Sequence, residues 1–156
     1  MYKNIKNVIL RYLVVNNKFL QSGLLLLLLA SSPLQAEDDK REFVHLPDRM
    51  QQHMMRNMRD HLQAIDEILS SLASDDLETA AQIAEQRLGM SSLESHSAAH
   101  MAKHMPQGMR EAGNRMHSAA SRFALKVEEG DLLSVYGTLA DITSACVACH
   151  AAYRIR

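Results

Sequence analysis

Residues 131–154 read DLLSVYGTLADITSACVACHAAYR, and this stretch carries the clearest structural signal in the chain. Apolar residues recur in it at steps of three and four positions, which is the period of one face of an α-helix. Asp131 is well suited to cap the start of such a helix, because its carboxylate accepts hydrogen bonds from the first free backbone N–H groups. The predicted inward face comprises Leu132, Val135, Tyr136, Leu139, Ile142, Thr143, Cys146, Cys149, His150 and Tyr153.

Three earlier segments show the same helical period. Their apolar faces comprise Met50, Met54, Met58, His61, Ile65, Ile68 and Leu72 in the first, Leu77, Ala80, Ile83, Ala84 and Leu88 in the second, and Met109, Ala112, Met116, Ala120, Phe123 and Val127 in the third. The residues that suggest their boundaries are Pro47 and Asp48, then Asp75, Glu78 and Gly89, and then Pro106 and Gly130. Residues 90–105 have a weaker pattern and are expected to form a connection with a partial helix.

The pattern as a whole predicts the fold class. No segment alternates apolar and polar residues as a half-buried strand does. Four amphipathic helices with short connections predict an all-α antiparallel four-helix bundle, in which cofactors are commonly held by side chains that face the interior. The folded domain is expected to span residues 47–156.

The first 36 residues have a different character. They contain four basic residues, no acidic residue and an apolar run from Leu24 to Leu29, which is far short of the ~20 residues that span a bilayer. We therefore expect a signal peptide cleaved after Ala36 and export of the protein to the periplasm. An uncleaved membrane anchor is the alternative, although Arg11 and Lys18 interrupt the apolar stretch. Residues 37–46 are expected to form a flexible leader, because their first half is highly charged.

The charge and the cysteine content narrow the possible partners. The chain has 17 basic and 18 acidic residues, a net charge of −1, and removal of residues 1–36 leaves 13 against 18, a net charge of −5. Nucleic acid is therefore not an expected partner. An exported protein meets an oxidising compartment, where paired cysteines become disulfides unless other chemistry uses them. The chain has two cysteines, and they are three positions apart.

Cys146-Val147-Ala148-Cys149-His150 is a C-x-x-C-H motif, the pattern of covalent c-type haem attachment. On a helix, the two thiols and the imidazole project from one surface, so the thiols can reach the two haem vinyl groups while His150 binds the iron. A redox-active C-x-x-C would normally lie at a helix N-terminus, and a zinc site would need a fourth ligand, usually in a paired motif. The motif predicts one covalently attached haem c, with a disulfide or a zinc site as alternatives.

The string from Cys146 to Arg154, at the end of four predicted helices, resembles the cytochrome c′ family over residues 47–154. This resemblance implies a left-handed bundle that encloses the haem. It also places Arg154 at the haem edge or at a haem propionate, with a solvated terminal arginine as the alternative. Dimers are frequent in this family, so a homodimer is a further expectation.

The sixth iron ligand separates the functions that this resemblance implies. Low-spin relatives carry a methionine there, and alignment of the first helix with them puts Met54 at this position. A shift in the register of that alignment would replace Met54 by a neighbouring residue: Met50, Met55, Met58, His53 or His61. A thioether ligand stabilises ferrous iron and raises the reduction potential, which suits electron transfer to or from a redox partner protein. The leading prediction is thus a periplasmic one-electron carrier rather than an enzyme, with His150 and Met54 as iron ligands. The alternative is a protein that binds a small gas such as NO or CO, with His150 as the sole protein ligand.

The chain is also rich in methionine and histidine, with ten and eight residues. They cluster at 50–61 and at 96–109. Thioethers and imidazoles suit copper, so a periplasmic copper-binding bundle is a third hypothesis. The simpler interpretation is that the methionines fill space around a bulky cofactor while the histidines face water.

Overall fold

The computed structural model of the protein describes residues 38–130 and 132–156. The chain divides into two units, Met1–Asp39 and Lys40–Arg156, and every element described here belongs to the second. The predicted signal peptide and the predicted cap at Asp131 lie outside the described residues. Among the helices that are described, none is both long enough and apolar enough to span a bilayer.

The unit Lys40–Arg156 is mostly helical, which confirms the all-α class. Its elements in chain order are β1 (Glu42–Phe43), α1 (Asp48–Ala73), α2 (Leu77–Ile83), α3 (Ala98–Met101), α4 (Gln107–Glu128), α5 (Leu132–Ala152) and β2 (Tyr153–Arg154). One π-helical turn, Ala84–Leu88, continues α2, and 3-10 turns cover Met90–Ser92 and Ala102–His104. The connection at 90–105 thus contains the partial helix that the sequence suggested.

The helix boundaries follow from local chemistry. Pro47 and Pro106 immediately precede α1 and α4, where a missing backbone N–H costs nothing. Gly130 follows α4 with a φ of 75°, a left-handed conformation that glycine adopts without strain. The cap of α2 differs from the prediction: the carboxylate that accepts the Thr79 N–H, at 3.1 Å, belongs to Asp76 rather than Asp75.

The two short strands tie the beginning of the unit to its end. β1 and β2 pair in parallel, with Glu42 opposite Tyr153, and the Val44 N–H donates to the Arg154 carbonyl at 2.8 Å. Val44 is only 4% exposed. Part of the segment 37–46, which the sequence suggested would be a flexible leader, therefore packs onto the domain, because an apolar side chain after the charged stretch finds a buried site.

The apolar side chains form two cores. The larger core joins α1, α2, α4 and α5 around fully buried residues such as Ile68, Phe123 and Ile142. The smaller core contains Val44 and several methionines, namely Met54, Met101 and Met109, with Met50, Met58 and Met105 packed against them. Most methionines of the two sequence clusters thus act as packing residues in this structure.

The helices are not evenly spaced. The backbones of α4 and α5 pack closely along their length, and α2 packs against both α1 and α4. The backbones of α1 and α5 make no comparably extensive contact with each other. Side chains therefore line the space between these two helices, and the residues of the C-x-x-C-H motif lie on its α5 side.

Candidate haem-attachment site

The motif lies in the last two turns of α5. Cys146 and Cys149 are half-buried and are not joined in a disulfide, and His150 is exposed. Because the helix continues without a break through Ala152, the three residues occupy positions i, i+3 and i+4 of one helical surface. The structure therefore brings the predicted thiols and imidazole together.

Burial raises the pKa of both thiols, and the neighbouring Cys146 also raises that of Cys149. Both cysteines are therefore protonated near neutral pH. A thioredoxin-like site has the opposite property, since a helix N-terminus or a nearby cation lowers the pKa of its attacking thiol. The environment of Cys146 and Cys149 thus disfavours the redox-active C-x-x-C alternative.

Both thiols and His150 open onto a cavity of about 320 Å³, here called the motif cavity. This volume lies at the lower end of the range for small-molecule sites. Its other walls come from four helical segments and are almost entirely apolar: Met58, His61, Leu62 and Ile65 of α1, Leu88 of the π-helical turn, Ala112, Gly113 and Met116 of α4, and Ile142, Thr143 and Ala145 of α5. A flat apolar cofactor attached to the two thiols would contact these apolar walls.

Gly113 is a wall residue of the motif cavity that lies in the interior of α4. A Cβ atom placed on Gly113 would meet no atom within 4 Å. A glycine in the middle of a helix costs ~1 kcal/mol relative to alanine, and here no close packing of neighbouring side chains explains it. Gly113, which lines the motif cavity, therefore has open space beside it.

A second cavity, of about 300 Å³, adjoins the motif on the side of the C-terminus and is here called the arginine cavity. It is lined by Arg41, Arg154 and Arg156, by Tyr153 and Ile155, by Met54, Met55, Met58 and Met109, and by Cys149 and His150. Arg154, predicted at the haem edge, thus shares a cavity with two residues of the motif.

Three residues line both cavities: Met58, Cys149 and His150. Met54, the predicted sixth ligand, is 9% exposed and lines the arginine cavity but not the motif cavity. The two methionines lie four positions apart on α1, so they occupy the same face one turn from each other. Both face the side of α1 that is turned towards the motif.

A cluster of three histidines lies behind the motif cavity. The ring of His61 is 4.8 Å from that of His96 and 6.1 Å from that of His117, measured between centroids, and His96 and His117 are 5.4 Å apart. The His117 Nδ1 lies 2.7 Å from the Leu88 carbonyl and donates to it. The Ser92 hydroxyl lies 3.3 Å from Nδ1 of both His96 and His117.

The histidine cluster is uncharged near neutral pH. Burial and the proximity of His96 and His117 lower the pKa of His61 to about 4. Burial is also the main cause that lowers the pKa values of His96 and His117. His61 Nε2 is buried and has no hydrogen-bond partner among the described residues. Among all residues that the structure describes, no group of three or more His, Cys, Asp or Glu side chains is placed to hold a metal ion.

Sequence reasoning did not find the histidine cluster or the role of Arg41 in lining a cavity. Residues 61, 96 and 117 belong to three separate segments, and of the three only His61 was on a predicted apolar face. Arg41 precedes the first predicted helix and belongs to no periodic pattern. Both features depend on contacts between residues that are far apart in the chain.

Comparison with protein-family models, with curated proteins and with solved structures gave no match to this chain. The C-x-x-C-H motif and the cavities around it are therefore the features of this chain that bear on its function.

Proposed function

We propose that this protein is a periplasmic single-haem c-type cytochrome, built as an antiparallel four-helix bundle, that carries one electron at a time. One observation supports this most directly: the side chains of a C-x-x-C-H motif open together onto an apolar cavity between α1, α4 and α5. A disulfide or zinc site has no need of such a cavity, whereas a porphyrin requires one.

In this proposal, Cys146 and Cys149 hold the haem through thioether bonds and His150 binds the iron. When bound, the haem supplies a one-electron Fe(III)/Fe(II) couple. The apolar walls of the motif cavity exclude water from the macrocycle, and burial of this kind is one determinant of the reduction potential. The exposed position of His150 leaves one side of the site close to the surface, where a redox partner could approach.

We propose a methionine of α1 as the second iron ligand. Alignment of the sequence with low-spin relatives nominated Met54. The position of Met58 at the junction of the two cavities, with Cys149 and His150, makes it the competing residue. The two assignments are one helical turn apart, and substituting each methionine separately distinguishes them.

One observation favours the alternative of gas binding. Leu62, Ile65 and Leu88 line the motif cavity with side chains that offer no strong iron ligand. If neither methionine reached the iron, its open face would lie in an apolar pocket suited to a small uncharged gas. Copper binding receives no comparable support, because the methionines of both sequence clusters pack in the smaller core.

The decisive experiment is expression of the exported chain in a host that has haem-attachment machinery. Mass spectrometry of the denatured protein is expected to show one covalently bound haem in the wild type and in a control with Val147→Ala, the exposed position inside the motif. Replacing both Cys146 and Cys149 by alanine is expected to abolish attachment. An unmodified wild-type polypeptide would contradict the proposal.

Optical spectra of the same material test the second ligand. A low-spin ferric spectrum that becomes high-spin in Met54→Leu, but not in Met58→Leu, identifies Met54, and the reverse result identifies Met58. A high-spin wild-type spectrum that changes on addition of CO or NO would replace electron transfer by gas binding.

A further inference from the structure

The arginine cavity has a distinct chemical character. Arg41, Arg154 and Arg156 line it, and no acidic residue does so among the described residues. Of the described residues that line the motif cavity, none is basic apart from the histidines His61 and His150. The two cavities that meet at the motif thus differ sharply: one is apolar, and the other carries three permanent positive charges.

The strand pair brings these arginines together from opposite ends of the domain. Arg41 directly precedes β1, while Arg154 ends β2 and Arg156 follows it. Arg41 Nη1 donates to the His150 carbonyl at 3.3 Å, which keeps the guanidinium beside the motif. The guanidinium carbon of Arg154 lies 4.8 Å from the centroid of the Phe43 ring, a cation–π contact within β1 and β2.

A haem has the same two-sided character. Its macrocycle and vinyl groups are apolar, and its two propionates are carboxylates that arginine binds with paired N–H donors. Cys146 lines only the motif cavity, whereas Cys149 and His150 line both cavities. A ring attached through Cys146 and Cys149 carries its propionates on the edge opposite those bonds, and the arginine cavity, which Cys149 and His150 also line, offers these carboxylates positively charged partners.

We propose that Arg41 and Arg156, together with Arg154, bind the haem propionates, so that the segment before α1 forms part of the cofactor site. This inference rests on the haem attachment proposed above. It adds two binding residues and an orientation of the cofactor to that proposal. In this proposal Arg41 binds the haem through its charge, while Glu42 and Phe43 anchor the same segment to the domain through the β1–β2 pair.

Arg41 also has a competing, purely structural role, because the hydrogen bond from its guanidinium to the His150 carbonyl caps the end of α5. The substitution Arg41→Gln separates the two roles, since glutamine keeps an N–H donor and loses the charge. Arg41→Lys keeps the charge and loses the paired donors. Arg59→Gln, at an exposed position of α1 outside both cavities, is the matched control.

The readout is the reduction potential of the purified holoprotein between pH 5 and pH 8. Removing one positive charge beside a propionate disfavours the reduced state, and we expect the equilibrium constant for reduction at pH 7.5 to fall about threefold to tenfold in Arg41→Gln and in Arg156→Gln. Arginine also keeps the propionate pKa values low. In both variants the propionates therefore protonate at higher pH, and the deficit relative to the wild type shrinks as the pH falls.

The outcomes separate this inference from the proposed function. Covalent haem in the wild type is measured first, and its absence removes both. If haem is attached but Arg41→Gln and Arg156→Gln give the same potential and pH dependence as Arg59→Gln, the propionates are not bound here and the inference is overturned. If Arg41→Gln does not fold, Arg156→Gln and Arg41→Lys carry the test, with the charge-retaining lysine expected close to the wild type.

Discussion

Burial of the histidine cluster predicts that the folded protein loses stability in mild acid. His61 is 8% exposed, and its pKa falls from an ordinary value of 6.5 to about 4 in the folded state. Between these two values the unfolded chain binds a proton at this position and the folded chain does not. Stability is therefore fully present above pH 6.5 and is lost as the pH falls towards 4.

The size of this effect follows from the shift. A pH of 5 is about 1.5 units below the pKa of His61 in the unfolded chain, and each unit corresponds to about 1.36 kcal/mol. Protonation of His61 alone therefore lowers the free energy of unfolding by about 2 kcal/mol between pH 7.5 and pH 5. His96 and His117 act in the same direction, because burial lowers their pKa values as well. The loss is a large fraction of the free energy of unfolding of an ordinary domain.

The assay is urea unfolding of the wild type and of His61→Leu at pH 7.5 and pH 5. We expect the variant to be at least as stable at pH 7.5, because it removes a buried nitrogen without a partner among the described residues. We expect it to lose about 2 kcal/mol less than the wild type on acidification. His104→Leu, at an exposed position outside the cluster, is the control. Equal acid sensitivity in the wild type and His61→Leu would refute the reasoning.

Three further predictions test the core, the cavity and a helix cap. Phe123→Ala, at a position with 0% exposure, is expected to lower the free energy of unfolding by about 3–5 kcal/mol in urea titrations, and a loss below 1 kcal/mol would contradict the described core. Gly113→Leu is expected to keep the helical circular dichroism but to reduce covalent haem per protein severalfold, because Gly113 lines the motif cavity and leucine adds bulk to that wall; the exposed Gly137→Leu should retain the haem. Asp76→Ala is expected to cost about 1 kcal/mol in thermal unfolding, and no change would show that its bond to Thr79 does not cap α2.

Local patterns were enough to predict the helices. The steps between Met54, His61 and Ile68 match the face of α1 that the structure buries. Proline and glycine mark the ends of α4 because each acts through its own backbone. The choice between Asp75 and Asp76 as cap was not predictable, since the two residues are chemically identical neighbours and only the turn geometry decides which one reaches Thr79.

Contacts between distant residues were not predictable in this way. The β1–β2 pair joins residues about 110 positions apart, and two-residue strands are too short to show an alternating pattern. The motif itself predicted which side chains of α5 lie together, because positions 146, 149 and 150 share a surface on any helix. Which residues of α1 face them depends on how the helices pack, and this is why the sequence left Met54 and Met58 open as ligands while the structure puts Met58 at the junction of the two cavities.

The parallel pairing of β1 and β2 has a mechanical consequence. The chain enters the domain at the start of β1 and leaves it beyond the end of β2, so a force that pulls the two termini apart acts along both strands in opposite directions. The hydrogen bonds between them, including that from Val44 to Arg154, then bear the load simultaneously in shear instead of being peeled open one by one. Tension on the chain would therefore meet its first resistance at this short ladder, beside the C-x-x-C-H motif.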